Sequence, residues 1–305
     1  MLISYLLGQN VNATIYNVGT SGQTDYATLE DLRDDVTTWY DDDEIILHND
    51  DSSLTQPFNF NGKSIKISGN AKVSPISTSD IRFSTTSSNT NTFLTITDGS
   101  SITFDGFNYT SGDGGAIYSS SGVEISGTNT FAENSASADG GAICSRGDVN
   151  ISGVNTFSNN VTGSYSYGGE IFRYGNVEIS GTSTFTENSA GGVGGAIFSD
   201  GDVKITASIG DIVFTGNKAN STPNAIYMGG NNKTLSLAAK SGNNVKFYDP
   251  IQNNVSYPNL TIKINEDQTG TVLFDMSNNG AYKTSAIYGN TTVYNGTLAL
   301  KGEAV

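Results

Sequence analysis

Few residues in this chain have the type and spacing to do chemistry. His48, the only histidine, follows a short apolar run in Leu47-His48-Asn49-Asp50-Asp51 and has no acid or base patterned around it. The run Asp41-Asp42-Asp43-Glu44 would suit Ca²⁺ only in an ordered loop of spaced oxygen ligands, and unspaced carboxylates read as a solvated turn. Glu124 and Glu178 recur at matching positions, as do Glu133 and Glu187, each pair two repeats apart. Stacked repeats spaced about 4.8 Å put each pair roughly 10 Å apart, too far for an acid–base couple. No catalytic residue, metal site or cofactor is expected. Arg146-Gly147-Asp148 is the tripeptide that many integrin ligands display. Sister repeats place Ser121-Gly122-Val123, Tyr174-Gly175-Asn176 and Asp200-Gly201-Asp202 at the same turn, so the glycine belongs to the turn and chance accounts for its neighbours. Arg173, one coil on, can instead pair with a nearby carboxylate such as Asp148 or Glu170, to little energetic effect if exposed. Cys144, the single cysteine, can form no internal disulfide and reads as buried filler.

The elements that carry these residues repeat. Gly-Gly-Ala-Ile occurs at Gly114-Gly115-Ala116-Ile117, Gly140-Gly141-Ala142-Ile143 and Gly194-Gly195-Ala196-Ile197, and Gly168-Gly169-Glu170-Ile171 is a variant copy. The steps between them are 26, 28 and 26 residues. Val-x-Ile follows each time (Val123/Ile125, Val149/Ile151, Val177/Ile179, Val203/Ile205), then Phe-x-x-Asn (Phe131/Asn134, Phe157/Asn160, Phe185/Asn188, Phe214/Asn217). Apolar islands this short, set between Gly, Ser, Asn and Asp, are strands between turns. A period this regular makes a solenoid, in which each repeat buries its apolar face against its neighbours. The fold expected is all-β: a right-handed, single-stranded parallel β-helix with three short strands per coil.

Within a coil, Val and Ile point inward while Glu124, Asn150, Glu178 and Lys204 face water between them. The Phe fills the core. The Asn sits where the chain turns, tolerates left-handed backbone and passes amide hydrogen bonds from coil to coil. The glycines permit positive φ or close approach of coils. Tyr118, Cys144, Phe172 and Phe198, with Tyr227 and Tyr288 in degenerate copies, form a stripe that is either a second packed layer or, at Tyr118, Phe172 and Phe198, a ligand contact; alternation does not decide whether Ile or the aromatic faces the core. Leu29, Leu32, Val36 and Trp39 fall at helical spacing over Tyr26–Tyr40, a short capping helix for the open core. Strands are expected at Glu44–Leu47, Ser64–Ser68, Phe93–Thr97, Ser101–Phe104, Leu260–Ile264 and Thr271–Phe274. The chain divides into 1–69, cap and irregular coils; 70–244, repeat coils clearest over 110–230; and 245–305, a modified end.

A net charge of −15 opposes binding to nucleic acid and to anionic membranes. No run reaches transmembrane length, and Met1–Gly8 is too short and lacks the basic residues of a secretory leader. Sequons such as Asn12, Asn108, Asn160 and Asn220 follow from an Asn- and Thr-rich composition.

Paired Gly-Gly-Ala-Ile and Phe-x-x-Asn, at 114–117 with 131–134, 140–143 with 157–160, and 194–197 with 214–217, resembles the polymorphic membrane proteins of chlamydiae and related autotransporter passengers. Val245–Ile251, Gly270–Phe274 and Asn295–Leu300 are similar to the segment that follows the repeats there, so the likeness covers about 110–305. It implies a monomeric extracellular passenger at the bacterial surface, an adhesin for a host cell-surface or matrix protein, anchored through an outer-membrane barrel. Nothing after Leu300 offers such a barrel, and the cysteines plentiful in that family are nearly absent here. Two alternatives stand beside it: a rigid stalk or antigenic coat without a ligand, and, by fold analogy, a pectate-lyase-like enzyme.

Overall fold

The computed structural model describes residues 13–20, 24–76, 80–86, 93–279, 285 and 287–302; Met1–Gly8 and Asn12 lie outside them. Parallel strands stack along one axis in three sheets, of 17, six and eight strands. One row of the largest sheet begins successively at Ile15, Asp43, Ile65, Phe93, Gly122, Val149, Val177, Val203, Thr234, Leu260 and Gly289. At about 4.8 Å per coil this rod is roughly 50 Å long.

The register is that of the repeats. Val123, Val149, Val177 and Val203 lie over one another, as do Phe131, Phe157, Phe185 and Phe214, and Ile117, Ile143, Ile171 and Ile197. The coils that begin at Phe93, Gly122, Val149, Val177 and Val203 carry one strand segment more than the three expected. Val-x-Ile and the Phe segment belong to the same bent sheet, and in Val177–Thr186 and Val203–Thr215 one unbroken strand covers both. A two-residue strand such as Ser135–Ala136 follows the Asn and forms the six-stranded sheet, and Gly-Gly-Ala-Ile leads into the eight-stranded one. The expected early and late strands are present at Asp43–Leu47, Ile65–Val73, Phe93–Ile96, Ser101–Asp105, Leu260–Ile264 and Thr271–Asp275.

One apolar core runs from Val18 to Met276. Its Val, Ile and Phe side chains contribute roughly 1.5–3 kcal/mol each on burial. Phe104, Phe131, Phe157, Phe185, Phe214, Phe247 and Phe274 form one stack with ring centroids 4.6–5.4 Å apart. Strand spacing sets that interval. Beside it, Asn134, Asn160 and Asn188 each donate Nδ2 to the Oδ1 of the next Asn, at 3.0 Å, and to the Phe carbonyl of the preceding coil. Asp249 ends the ladder as a pure acceptor, taking the Gly216 and Asn217 backbone N–H groups and Asn217 Nδ2. The left-handed residue is the one before the Asn, not the Asn itself: Glu133, Asn159, Glu187 and Gly216 have φ of 55°, 55°, 56° and 73°. That turn leaves the Asn side chain free to point inward.

Both expected uses of glycine occur, one at each glycine of the pair. Gly114, Gly140, Gly168 and Gly194 have φ of 64–72°. A Cβ on Gly115, Gly141, Gly169 or Gly195 would lie 2.1–2.3 Å from a carbonyl oxygen of the next coil. At the N-terminal end a helix spans Leu29–Asp35, shorter than the periodic stretch, with a capping box between Thr28 and Asp31. Leu29, Leu32 and Trp39 are buried in the same core.

Candidate binding face

Residues on the eight-stranded sheet decide what the rod can present. Ile117, Ile143, Ile171 and Ile197 join the central core, while Tyr118, Cys144, Phe172 and Phe198 form a separate cluster outside it, with Val193 and Tyr227 packed against them. The aromatic stripe is therefore a second packed layer. Tyr118, Phe172 and Phe198 are at most 9 % exposed. Tyr288 is not part of it, because Gln252 lies next to Tyr227 in register.

Exposed tyrosines flank this layer. Tyr167 lies 6.3 Å from the Phe172 ring and 5.0 Å from Phe198, and Tyr174 meets Phe172 edge-on at 5.0 Å. Along one rim Asp113 and Asp139 stack in successive coils: the Asp139 N–H donates to Asp113 Oδ1 at 3.2 Å, and the Tyr167 N–H to Asp139 Oδ1 at 2.8 Å. Burial, reinforced by the charge of Asp113, raises the Asp139 carboxyl above its ordinary value. The signal for this pair was in the sequence, as an Asp before Gly-Gly in two consecutive copies, and the comparison of Glu pairs passed over it. At one end of the layer Arg82 lies 3.7 Å above the Tyr109 ring and 4.5 Å above Tyr118, and its Nη1 donates to the Asp113 carbonyl. Burial pushes the Cys144 thiol well up, so it stays protonated.

Arg146 and Asp148 are exposed on the opposite rim. Asp148 Oδ1 accepts from Arg173 Nη2 at 2.7 Å and from the Asn176 N–H, while Arg173 Nε donates to the Gly147 carbonyl at 2.6 Å. The expected pair with Asp148 is present, but Arg173 is fully buried, so the condition of exposure under which the pair would matter little is not met. It occupies the site of Ser145 and Ser199 in sister coils, beneath the turn, and desolvation lowers its guanidinium to about 10. The pair thus matters to stability, since a buried charge without its partner is costly. The turn counterpart of Gly147 is Ser121 and not Gly122, as Val123 pairs with Val149. Only that first copy lacks glycine: a Cβ on Gly147 or Gly201 would lie 2.0 or 1.8 Å from a carbonyl oxygen of the preceding coil.

Glu170 has the same unexpected burial. It stands where Ala116, Ala142, Ala196 and Ala225 line the core, and both its carboxyl oxygens lack a partner. Desolvation alone raises its pKa well above the usual carboxylate range, so the group is a neutral acid. The remaining candidates are scattered. His48 Nε2 lies 3.0 Å from Asn17 Oδ1 at the surface. Asp41 and Asp42 pair with Lys63 and Lys66, Asp43 accepts the Thr14 and Tyr40 N–H groups, and Glu44 takes the Ser68 hydroxyl. Glu124 and Glu178 are separated by Asn150, and Glu178 pairs with Lys204 at 2.8 Å. Asn160 is fully buried, so its sequon is closed in the folded chain.

The Chlamydia polymorphic membrane protein (Chlamydia_PMP) repeat matches residues 130–146 and 182–200, each stretch running from a Phe-x-x-Asn turn through the next Gly-Gly-Ala-Ile strand. Two stretches of the chain are thus similar to chlamydial polymorphic membrane protein repeats. It is similar to three proteins of Chlamydia pneumoniae, each named a probable outer membrane protein: pmp8 (35 % identical over 136 residues, 37 % of this chain), pmp6 (47 % over 66 residues, 20 %) and pmp2 (31 % over 140 residues, 38 %). These matches cover 15 %, 5 % and 16 % of the relatives' own lengths. No solved structure matches the chain. Among the described residues no helix is long and apolar enough to cross a membrane, which says nothing of β-barrels. In the polymorphic membrane protein repeats matched here, the motif residues are interior or turn residues, so their recurrence follows from stacking.

Proposed function

We propose that this chain is displayed at the bacterial surface as the extracellular passenger of an autotransporter-like outer membrane protein, and that it acts there as a monomeric adhesin for a host cell-surface or matrix protein. The observation that carries this reading is the contrast between the two sides of the eight-stranded sheet. The inner side repeats Ile coil after coil, whereas the outer side changes from Arg82 on Tyr118, to Cys144, to Phe172 flanked by exposed Tyr167 and Tyr174. A constant interior with a varied outer face suits recognition. Saturable binding of the isolated chain to host cells, lost when Tyr167 and Tyr174 are replaced, supports the adhesin; non-saturable binding refutes it. Arg146-Gly147-Asp148 is a poor integrin ligand because Arg173 already holds Asp148 Oδ1. Arg146→Ala is expected to leave attachment intact.

The rigid stalk is the second reading. It is favoured by the sufficient structural role of every repeated residue, and it is the reading left if no saturable binding occurs.

A further inference from the structure

The chain already seats one cation on its outer aromatic layer. Arg82 lies over Tyr109 and Tyr118, with its Nη1 on the Asp113 carbonyl. Two coils further on Phe172 stands in the register position of Tyr118, and other aromatic residues surround it without a cation. Phe172 is the floor, Tyr167 and Tyr174 stand beside it with 39 % and 55 % of their surface exposed, and Asp139 lies on the rim. Among the described residues Arg82 is the sole cation placed over a ring.

We propose that the box formed by Phe172, Tyr167, Tyr174 and Asp139 receives an arginine side chain of a protein partner. Aromatic faces attract a guanidinium through their quadrupole, and a carboxylate at the edge adds a charge-assisted hydrogen bond. Asp139 has the capacity, since its Oδ1 accepts one backbone N–H, from Tyr167, and its side chain forms no ion pair. The carboxylate also lies near the Tyr174 ring, whose hydroxyl is raised first by burial and then by the charge of Asp139. A net charge of −15 draws a basic partner toward the rod at long range. Arg146, exposed on the facing rim and without an ion pair among the described residues, is a nearby cation that opposes such a guest. The proposal names the partner chemistry for the adhesin reading above and rests on it.

The test is binding of labelled hexa-arginine, hexa-lysine and hexa-citrulline peptides to the full chain at physiological salt, followed by fluorescence anisotropy. Hexa-arginine is expected to bind most tightly, because its planar guanidinium stacks on aromatic faces as well as carrying charge, and hexa-citrulline least. Tyr174→Ala and Asp139→Asn should each weaken hexa-arginine about three- to tenfold, in line with a cation–π contact or a single charge-assisted bond. Glu124→Gln removes the same charge as Asp139→Asn from a different sheet and should change affinity less than about twofold, as expected of a screened surface charge. Arg146→Gln should strengthen binding, the opposite of what an Arg-Gly-Asp ligand requires. Circular dichroism confirms folding, and Tyr174, being exposed, is the variant least exposed to that objection. Equal losses for Asp139→Asn and Glu124→Gln, or equal binding of hexa-citrulline, overturn the site. Host-cell attachment measured in parallel separates the two readings: attachment with no effect of Tyr174→Ala on peptide binding leaves the adhesin and removes the box. The peptide pattern without attachment does the reverse.

Discussion

Glu170 offers the sharpest test of the physical account of this rod. Its carboxyl is fully buried with both oxygens unpartnered, and sister coils place alanine there. An unsatisfied buried polar group costs about 1–3 kcal/mol, whereas truncation to alanine forfeits about 0.8 kcal/mol per buried methylene and leaves a small cavity. Those effects nearly cancel while the acid is neutral. Ionisation does not cancel. The folded group holds its proton well above the ordinary value of 4.5, so its contribution is fully present below that pH and is lost as pH rises toward the folded value. Linkage sets the slope at about 1.4 kcal/mol per pH unit across that window. Glu170→Gln keeps the volume and a polar head but cannot ionise. Urea unfolding of both proteins between pH 5 and pH 8 should therefore show similar stability at the acid end and a widening advantage for the Gln variant, about tenfold in the folding constant per pH unit. Asp139, Asp200 and Asp249, also raised by burial, are common to both proteins and drop out of the difference. Parallel pH profiles would refute the placement of a neutral Glu170 in the core.

Further outcomes follow from the same contacts. Gly169→Ala would put a Cβ 2.1 Å from the Gly195 carbonyl oxygen, and is expected to lower the unfolding midpoint far more than Ala substitution at half-buried Ser180 in the neighbouring strand, checked by thermal melts. Asn188→Ala removes a rung that donates to Phe157 and Asn217 and accepts from Asn160, costing about 2–4 kcal/mol through the orphaned groups. Asn188→Asp should be no better, because it cannot donate to Phe157. Arg173→Ser restores the residue of sister coils, whose hydroxyl donates to a turn carbonyl, and should stay within about 1 kcal/mol of the parent. Asp148→Ala should instead cost about 1–2 kcal/mol by leaving the buried guanidinium unpaired, discounted because Asp148 itself is half-exposed.

The interior was legible because it is repetitive. Val149, Phe157, Asn160 and Gly168 have counterparts at fixed distances, and stacking demands identical residues wherever coils touch. The bend that merges the Val-x-Ile and Phe segments into one sheet was less legible, since a glycine between two short apolar runs reads equally well as a turn. Alternation also could not place Ile171 against Phe172, because both are buried, in different layers. The outer face was hardest to read. Tyr167 follows no repeat, Asp113 and Asp139 recur only once, and Arg82 reaches Tyr118 from an earlier coil. Arg173 and Glu170 stand out in the sequence as departures from the repeat, but nothing in the pattern marks them as buried, since charged residues rarely stand fully buried.

The departures are concentrated in one coil. Between Gly168 and Val193 lie Glu170 in the core and Arg173 beneath the turn, and the step that leads into it is 28 residues where its neighbours are 26. The added length falls where the strand register shifts between Val161 and Ser164, just ahead of Tyr167, which stands on the rim beside Phe172. The coil that departs most from the interior pattern is thus the one that assembles the aromatic box, and local rules broken together commonly mark a functional site. The two sets are nevertheless built on opposite sides of the strand: Glu170 faces the core, while Tyr167, Tyr174 and Asp139 stand outside it. A Glu170→Ala, Arg173→Ser double variant should then be at least as stable as the parent near neutral pH and bind hexa-arginine with unchanged affinity. Loss of that affinity with the fold intact would show that the buried departures shape the box, and that the interior of this coil was not free to revert to alanine and serine.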